Sequence, residues 1–151
     1  MRRGYIPRVG ILADFFVAEL DDALNYQQLM GPDLPRDRFE LVESGRITPL
    51  EVTTLWAITT NEQWSPEQHD LEMLGESSAE QETWLCRFPP AFVSRLAELT
   101  PAELPRVAAE WAATEEMACS PEDVLPEVDG LVRLARLAQT TGKGLYLWGS
   151  L

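Results

Sequence analysis

The chain has 151 residues, of which 45% are hydrophobic and 25% charged, and its 25 acidic side chains outnumber 12 basic ones for a net charge of -13. A chain of that length builds one domain that buries about 68–70% of its unfolded surface without a metal or disulfide, and no run approaches the roughly 18 apolar residues that cross a bilayer. A surface this anionic repels a phosphate backbone, which argues against nucleic acid as a partner and for a basic protein.

The opening, MRRGYIPRVGILADFFVAEL, sets arginines before an apolar run as a signal peptide does. Asp14 interrupts that run and no small-residue cleavage pattern follows, so the stretch reads as a first strand with Ile11, Ala13, Phe15 and Val17 on one face. Phe39 and Leu41, alternating with Arg38 and Glu40, predict a second strand. Cys86 and Cys119 form neither a CxxC pair nor a ligand-spaced cluster. With no export signal they read as small core residues in a reducing, cytoplasmic setting.

One device recurs four times: Thr48-Pro49-Leu50-Glu51, Ser65-Pro66-Glu67-Gln68, Thr100-Pro101-Ala102-Glu103 and Ser120-Pro121-Glu122-Asp123. Each places a hydroxyl at the N-cap, proline at the first helical position and a carboxylate or amide two residues further on, and so predicts a helix start. The same dipeptides are formal sites for proline-directed phosphorylation, but capping also explains the third residue. The helix over 48–60 puts Val52, Leu55, Trp56 and Thr59 on one side with Ile58 flanking. A shorter helix is expected after Ser65, and residues 75–81 read as loop.

Trp84, Cys86 and Phe88 line a third strand, which Pro89 and Pro90 end before the helix AFVSRLAEL. Leu104, Val107, Ala108, Trp111 and Ala112 form a helical stripe, as do Val124, Val128, Leu131, Ala135 and Ala138. Pro105 and Pro126 are each expected to bend a short first turn away from the main helix. In the tail, AQTTGKGLYLWGSL, the TTGKG step imitates a phosphate loop but follows a helix where such a loop must precede one. Gly142 therefore reads as a left-handed C-cap, Lys143 as a cation near the negative helix end, and GLYLWGS as the last strand. The sum is a single α+β domain spanning residues 1–151: a small mixed sheet of about four strands packed by four to five helices.

Catalytic signals are sparse. The single histidine, His69, sits among charged neighbours and reads as part of a solvated helix face. Of Glu67, Asp70 and Glu72 only Glu72, three residues on, falls at helical spacing from it, so no metal or cofactor is expected. A Cys86–His69 dyad is formally possible, but Cys86 falls on an apolar face. Glu115 continues the Trp111 stripe, and is either buried and paired with an arginine such as Arg87 or Arg95, or marks the rim of the core, the commoner arrangement. Glu116 lies off the stripe and should see solvent. Trp56, Trp84 and Trp111 fit core positions, whereas Trp64 reads as exposed and available as a staple or contact point. The candidate binding residues are thus Trp64, Trp111, Glu115 and Glu116.

The order of elements from LCRFPPAFVSRLAELTPAELPRVAAEWAATEEM through SPEDVLPEVDGLVRLARLAQTTGKGLYLWGSL, together with the opening GILADFFVAEL, resembles the layout of the uncharacterised bacterial YfbM-like family. The resemblance covers the first 25 and last 65 residues, and implies a small mixed α/β bacterial cytosolic protein with no catalytic residues to carry over. The expected function is non-enzymatic, through contacts with a basic protein as an acidic partner or immunity-type inhibitor. A small-ligand or enzymatic pocket near Glu115 and Trp111 is the alternative, and a homo-oligomer for which the acidic surface only aids solubility is a third reading.

Overall fold

The computed structural model describes residues 12–29, 40–45, 47–74 and 83–150. In chain order these form β1 (Leu12–Ala18), α1 (Leu20–Leu29), β2 (Glu40–Gly45), α2 (Pro49–Thr60), β3 (Glu72–Met73), β4 (Thr83–Arg87), α3 (Pro90–Glu98), α4 (Leu104–Ala112), α5 (Pro121–Thr141) and β5 (Gly144–Ser150). The expected roles of Ile11, Arg38, Phe39 and the 75–81 loop lie outside the described residues.

The fold is a small α+β domain. Its strands make one sheet in the order β2-β1-β5-β4-β3. Every described pairing is antiparallel, so the sheet is not mixed, and it has one strand more than the sequence predicts. The extra strand, β3, is two residues long and exists only by pairing with Arg87 and Cys86 of β4, too short to leave an alternating pattern. α1 is also unforeseen, because it has neither the hydroxyl-proline device ahead of α2, α4 and α5 nor the prolines that open α3.

Alternation divides the sheet into two faces. Ala13, Phe15, Val17, Cys86, Leu145 and Leu147 point into the main core with α2, α3, α4 and α5. Phe16, Leu85, Tyr146 and Trp148 face the other way and meet Ala23 and Tyr26 of α1. There the Tyr26 hydroxyl donates to the buried carboxylate of Asp14, a residue that sits mid-strand on this second face. In β2 it is Val42 that reaches the main core, while Leu41 packs on the second face. α5 crosses close over Val42 because Gly130 has no side chain there, and a Cβ would sit 3.0 Å from Val42 Cγ2.

The four capping devices share a chemistry but not an outcome. At Thr48 and Thr100 the carboxylates of Glu51 and Glu103 reach back to accept from both the backbone N–H and the hydroxyl of the threonine. α2 and α5 begin at their prolines. Residues 101–103 form only a turn, after which α4 starts at Leu104 with Pro105 in its first turn. No helix follows Ser65. A single turn over residues 66–69 forms instead, in which Ser65 Oγ accepts from the Glu67 N–H, the Ser65 carbonyl accepts from the His69 N–H, and the Ser65 N–H donates to His69 Nδ1. α5 runs as one helix from Pro121 to Thr141 with Pro126 inside it, so no separate short turn precedes the main helix. Glu122 and Pro126 are both exposed, so water can replace the donor that proline removes. At the far end Gly142 adopts φ 69 and ψ 27, the left-handed C-cap the sequence predicts, and β5 follows as the central strand.

An aromatic column ties the sheet to the loop after α2. Phe15 meets Phe88 edge-on, Phe88 stacks on Phe92, Phe92 on Trp56, and Trp56 meets His69 edge-on, with successive centroids 6.1, 5.0, 5.1 and 5.5 Å apart. Each such contact adds about 0.5–1.5 kcal/mol beyond area burial. The column therefore holds His69 and the loop above it in a fixed place relative to the sheet.

Candidate functional site

α2 is apolar on more than one side. Val52, Leu55 and Thr59 are buried toward α3 and α4, as the sequence predicts, with Trp56 half-buried beside them. Leu50, Thr54, Ala57 and Ile58 form a second stripe at spacings of four, three and one, and this stripe is the floor of a groove of ≈ 250 Å³ closed by Glu62, Trp64, Thr114 and Glu116. Leu50 and Trp64 remain 44% and 40% exposed there.

The groove is rigid where it is polar or aromatic. The Trp64 indole N–H donates to Thr53 Oγ1 at 3.0 Å, and the Thr53 hydroxyl donates to the carbonyl of Leu50. An exposed tryptophan is thereby held to the helix with its ring presented. Glu62 is positioned in the same way, since its Oε1 accepts from His69 Nε2 at 3.0 Å and from the Thr60 hydroxyl at 2.8 Å. Those hydrogen bonds, His69 first and Thr60 second, hold the Glu62 carboxyl below its ordinary value.

His69 corrects the sequence reading: it is 1% exposed, in a turn and not on a solvated helix face. Because Nδ1 accepts from Ser65 N–H, the proton of the neutral ring resides on Nε2 and points at Glu62. Both nitrogens are occupied, which leaves none to serve as a general base. Cys86 is not its partner: the thiol lies in the core against Met73 Sδ, and burial, followed by the charge of Asp70, pushes it up to about 12. Among the described residues no three His, Cys, Asp or Glu side chains are grouped to hold a metal ion.

Of the four residues singled out from sequence, Trp64 and Glu116 line the groove. Trp111 is a core residue, fully buried, with its indole N–H donated to the Glu51 carbonyl at 2.9 Å. Glu115 is exposed, in the turn after α4. The arginines considered as its partners are engaged elsewhere, Arg87 with Glu72 and Arg95 with Glu98 and Glu103. Sequence reasoning missed Leu50, Ile58 and Glu62. Leu50 and Ile58 did carry a signal, as apolar residues eight apart outside the core stripe of α2.

Comparison of the chain with protein-family models, curated proteins and solved structures gives no match. No helix among the described residues is long and apolar enough to cross a membrane.

Proposed function

We propose that the protein is a binding module that docks a short basic and apolar segment of another protein in the α2 groove. The observation that carries this reading is the pairing of an exposed but fixed tryptophan with a fixed carboxylate across an apolar floor. Tryptophan anchors dominate interface energetics, and groups held in place before binding lose less conformational freedom when a partner arrives. Leu50 and Ile58 supply the apolar contact, while Glu62 and Glu116 select arginine or lysine flanking the partner's anchor. The net charge of -13 steers such a partner toward the surface. It also disfavours a second copy of this chain in the groove, since two strongly anionic surfaces would face each other.

Selection of displayed random peptides on the intact protein, with counter-selection on Trp64→Ala, tests the reading. The expected result is a consensus with one large apolar residue and an arginine or lysine within a few positions. Its affinity should fall with added salt and with Glu62→Gln. Failure to enrich any sequence, or enrichment of acidic ones, would overturn it.

A further inference from the structure

A larger cleft, of ≈ 360 Å³, opens where the end of β4, the start of α3 and the end of α5 converge. It shares no lining residue with the α2 groove. Its volume falls at the lower end of the range of small-molecule sites. Phe88, Pro90, Val93 and Ala138 give it an apolar lining, and Ser94 and Gln139 are clasped across it, with Gln139 Nε2 donating to Ser94 Oγ at 3.1 Å.

The charges around this cleft differ from those of the rest of the molecule. Lys143, the only lysine in the chain, lines it, and so does Arg87. Arg87 is already engaged, since its Nε and Nη2 donate to the two carboxylate oxygens of Glu72 at 2.9 and 2.8 Å. Lys143 makes no ion pair among the described residues. Its position after α5 suits the negative end of that helix, but that role needs no apolar cleft beside it. Arg87 and Glu72 cancel, so the cleft offers one uncompensated positive charge next to an apolar wall.

We infer that this cleft binds a small organic monoanion with an apolar body, of the class of a medium-chain carboxylate. The carboxylate would meet the Lys143 ammonium while the hydrocarbon lies against Phe88, Val93 and Ala138. A dianion such as phosphate suits the site poorly, because Glu72 and the carbonyl end of α5 both lie at its edge.

The single lysine makes the test direct. Reductive methylation with 13C-formaldehyde keeps the ammonium charge and yields one ε-methyl resonance, which is followed while hexanoate, hexanamide or inorganic phosphate is added to the intact protein. The expected result is a saturable shift with hexanoate, and binding of the neutral amide weaker by about 10-fold or more, the size of one charge-assisted hydrogen bond. In unlabelled protein, ligand-observed NMR should show hexanoate binding lost in Lys143→Gln and in Gln139→Trp, which fills the cleft from its exposed rim. Both variants should keep the wild-type circular dichroism spectrum. Equal binding of hexanamide would show that the ammonium takes no part, and equal binding of phosphate that the apolar wall takes none. Either result, or no saturable shift at all, overturns the inference.

Discussion

Gly149 in the central strand is a position where adding one methyl group should reverse its usual effect. It lies opposite Trp84 of β4, whose indole crosses directly over it. A Cβ at residue 149 would stand 2.3 Å from Trp84 Nε1, 2.4 Å from Cε2 and 2.6 Å from Cζ2, against 3.4–4 Å for an ordinary contact. The ring must therefore retreat by about 1 Å or swing out of its site, and overpacking of this kind costs about 1–3 kcal/mol. For a domain of this size that corresponds to a fall in Tm of roughly 2–12 °C. Nothing but packing holds the ring, because its Nε1 finds no hydrogen-bond partner among the described residues. With Trp84→Ala already in place the overlap disappears. Gly149→Ala should then stabilise by about 0.4–1 kcal/mol, the usual result of restricting the unfolded chain where the native φ suits alanine. Urea unfolding followed by far-UV circular dichroism on the four proteins of the cycle gives a coupling energy of about 1.5–4 kcal/mol if the geometry is right. A Gly149→Ala protein as stable as wild type, or an equal cost in both backgrounds, would refute the reasoning.

Two further predictions concern ionisation. At pH 8 the Cys86 thiol, pushed up to about 12 by burial, is ionised to roughly one part in ten thousand, whereas the half-buried Cys119 is accessible. A disulfide reagent should therefore label one thiol in the native protein and the second only through unfolding. Rapid native labelling of Cys119→Ser would contradict this. Glu62 and Glu103 both have folded-state values below the ordinary 4.5, Glu62 chiefly through His69 and Glu103 chiefly through the backbone N–H of Thr100. Near and below 4.5 the unfolded chain binds more protons at these sites, so the stability they contribute is complete above that range and lost as pH falls through the lowered values. Glu62→Gln and Glu103→Gln should each flatten the loss of stability measured between about pH 5 and 3; a variant that follows the wild-type slope would remove that carboxylate from the account.

The parts of the fold legible in the sequence are those set by local chemistry. The apolar run of GLYLWGS, the glycine that ends α5 and the stripes of α4 and α5 each reside within one stretch of chain, and the structure keeps all of them. What escaped depends on distant residues. β3 forms only because β4 lies beside it, and His69 is buried against Trp56, at the end of the column beginning at Phe15. The groove shows the same division. Trp64 and Glu116 stand out locally, but Glu62 gains its role through a histidine seven residues away, and Leu50 becomes a wall only when the turn at 114–116 closes the other side. Ser65 illustrates the limit most directly: its capping signal resembles that of Thr48, yet the chain makes a single turn closed on His69 and does not continue as a helix.

The strand order carries a consequence for how the molecule comes together. β5 stands between β1 and β4, so the two strands that meet at the centre of the sheet are its first and last in sequence. Closing that pairing spans nearly the whole described chain, a non-local contact of the kind that slows folding. Until it occurs, β1 and β4 each present a bare edge beside Phe15, Phe16, Leu85 and Cys86, side chains that the finished domain hides completely. The hazard for this protein is therefore a kinetic one: a partner strand borrowed from another chain can occupy the vacant centre before its own arrives.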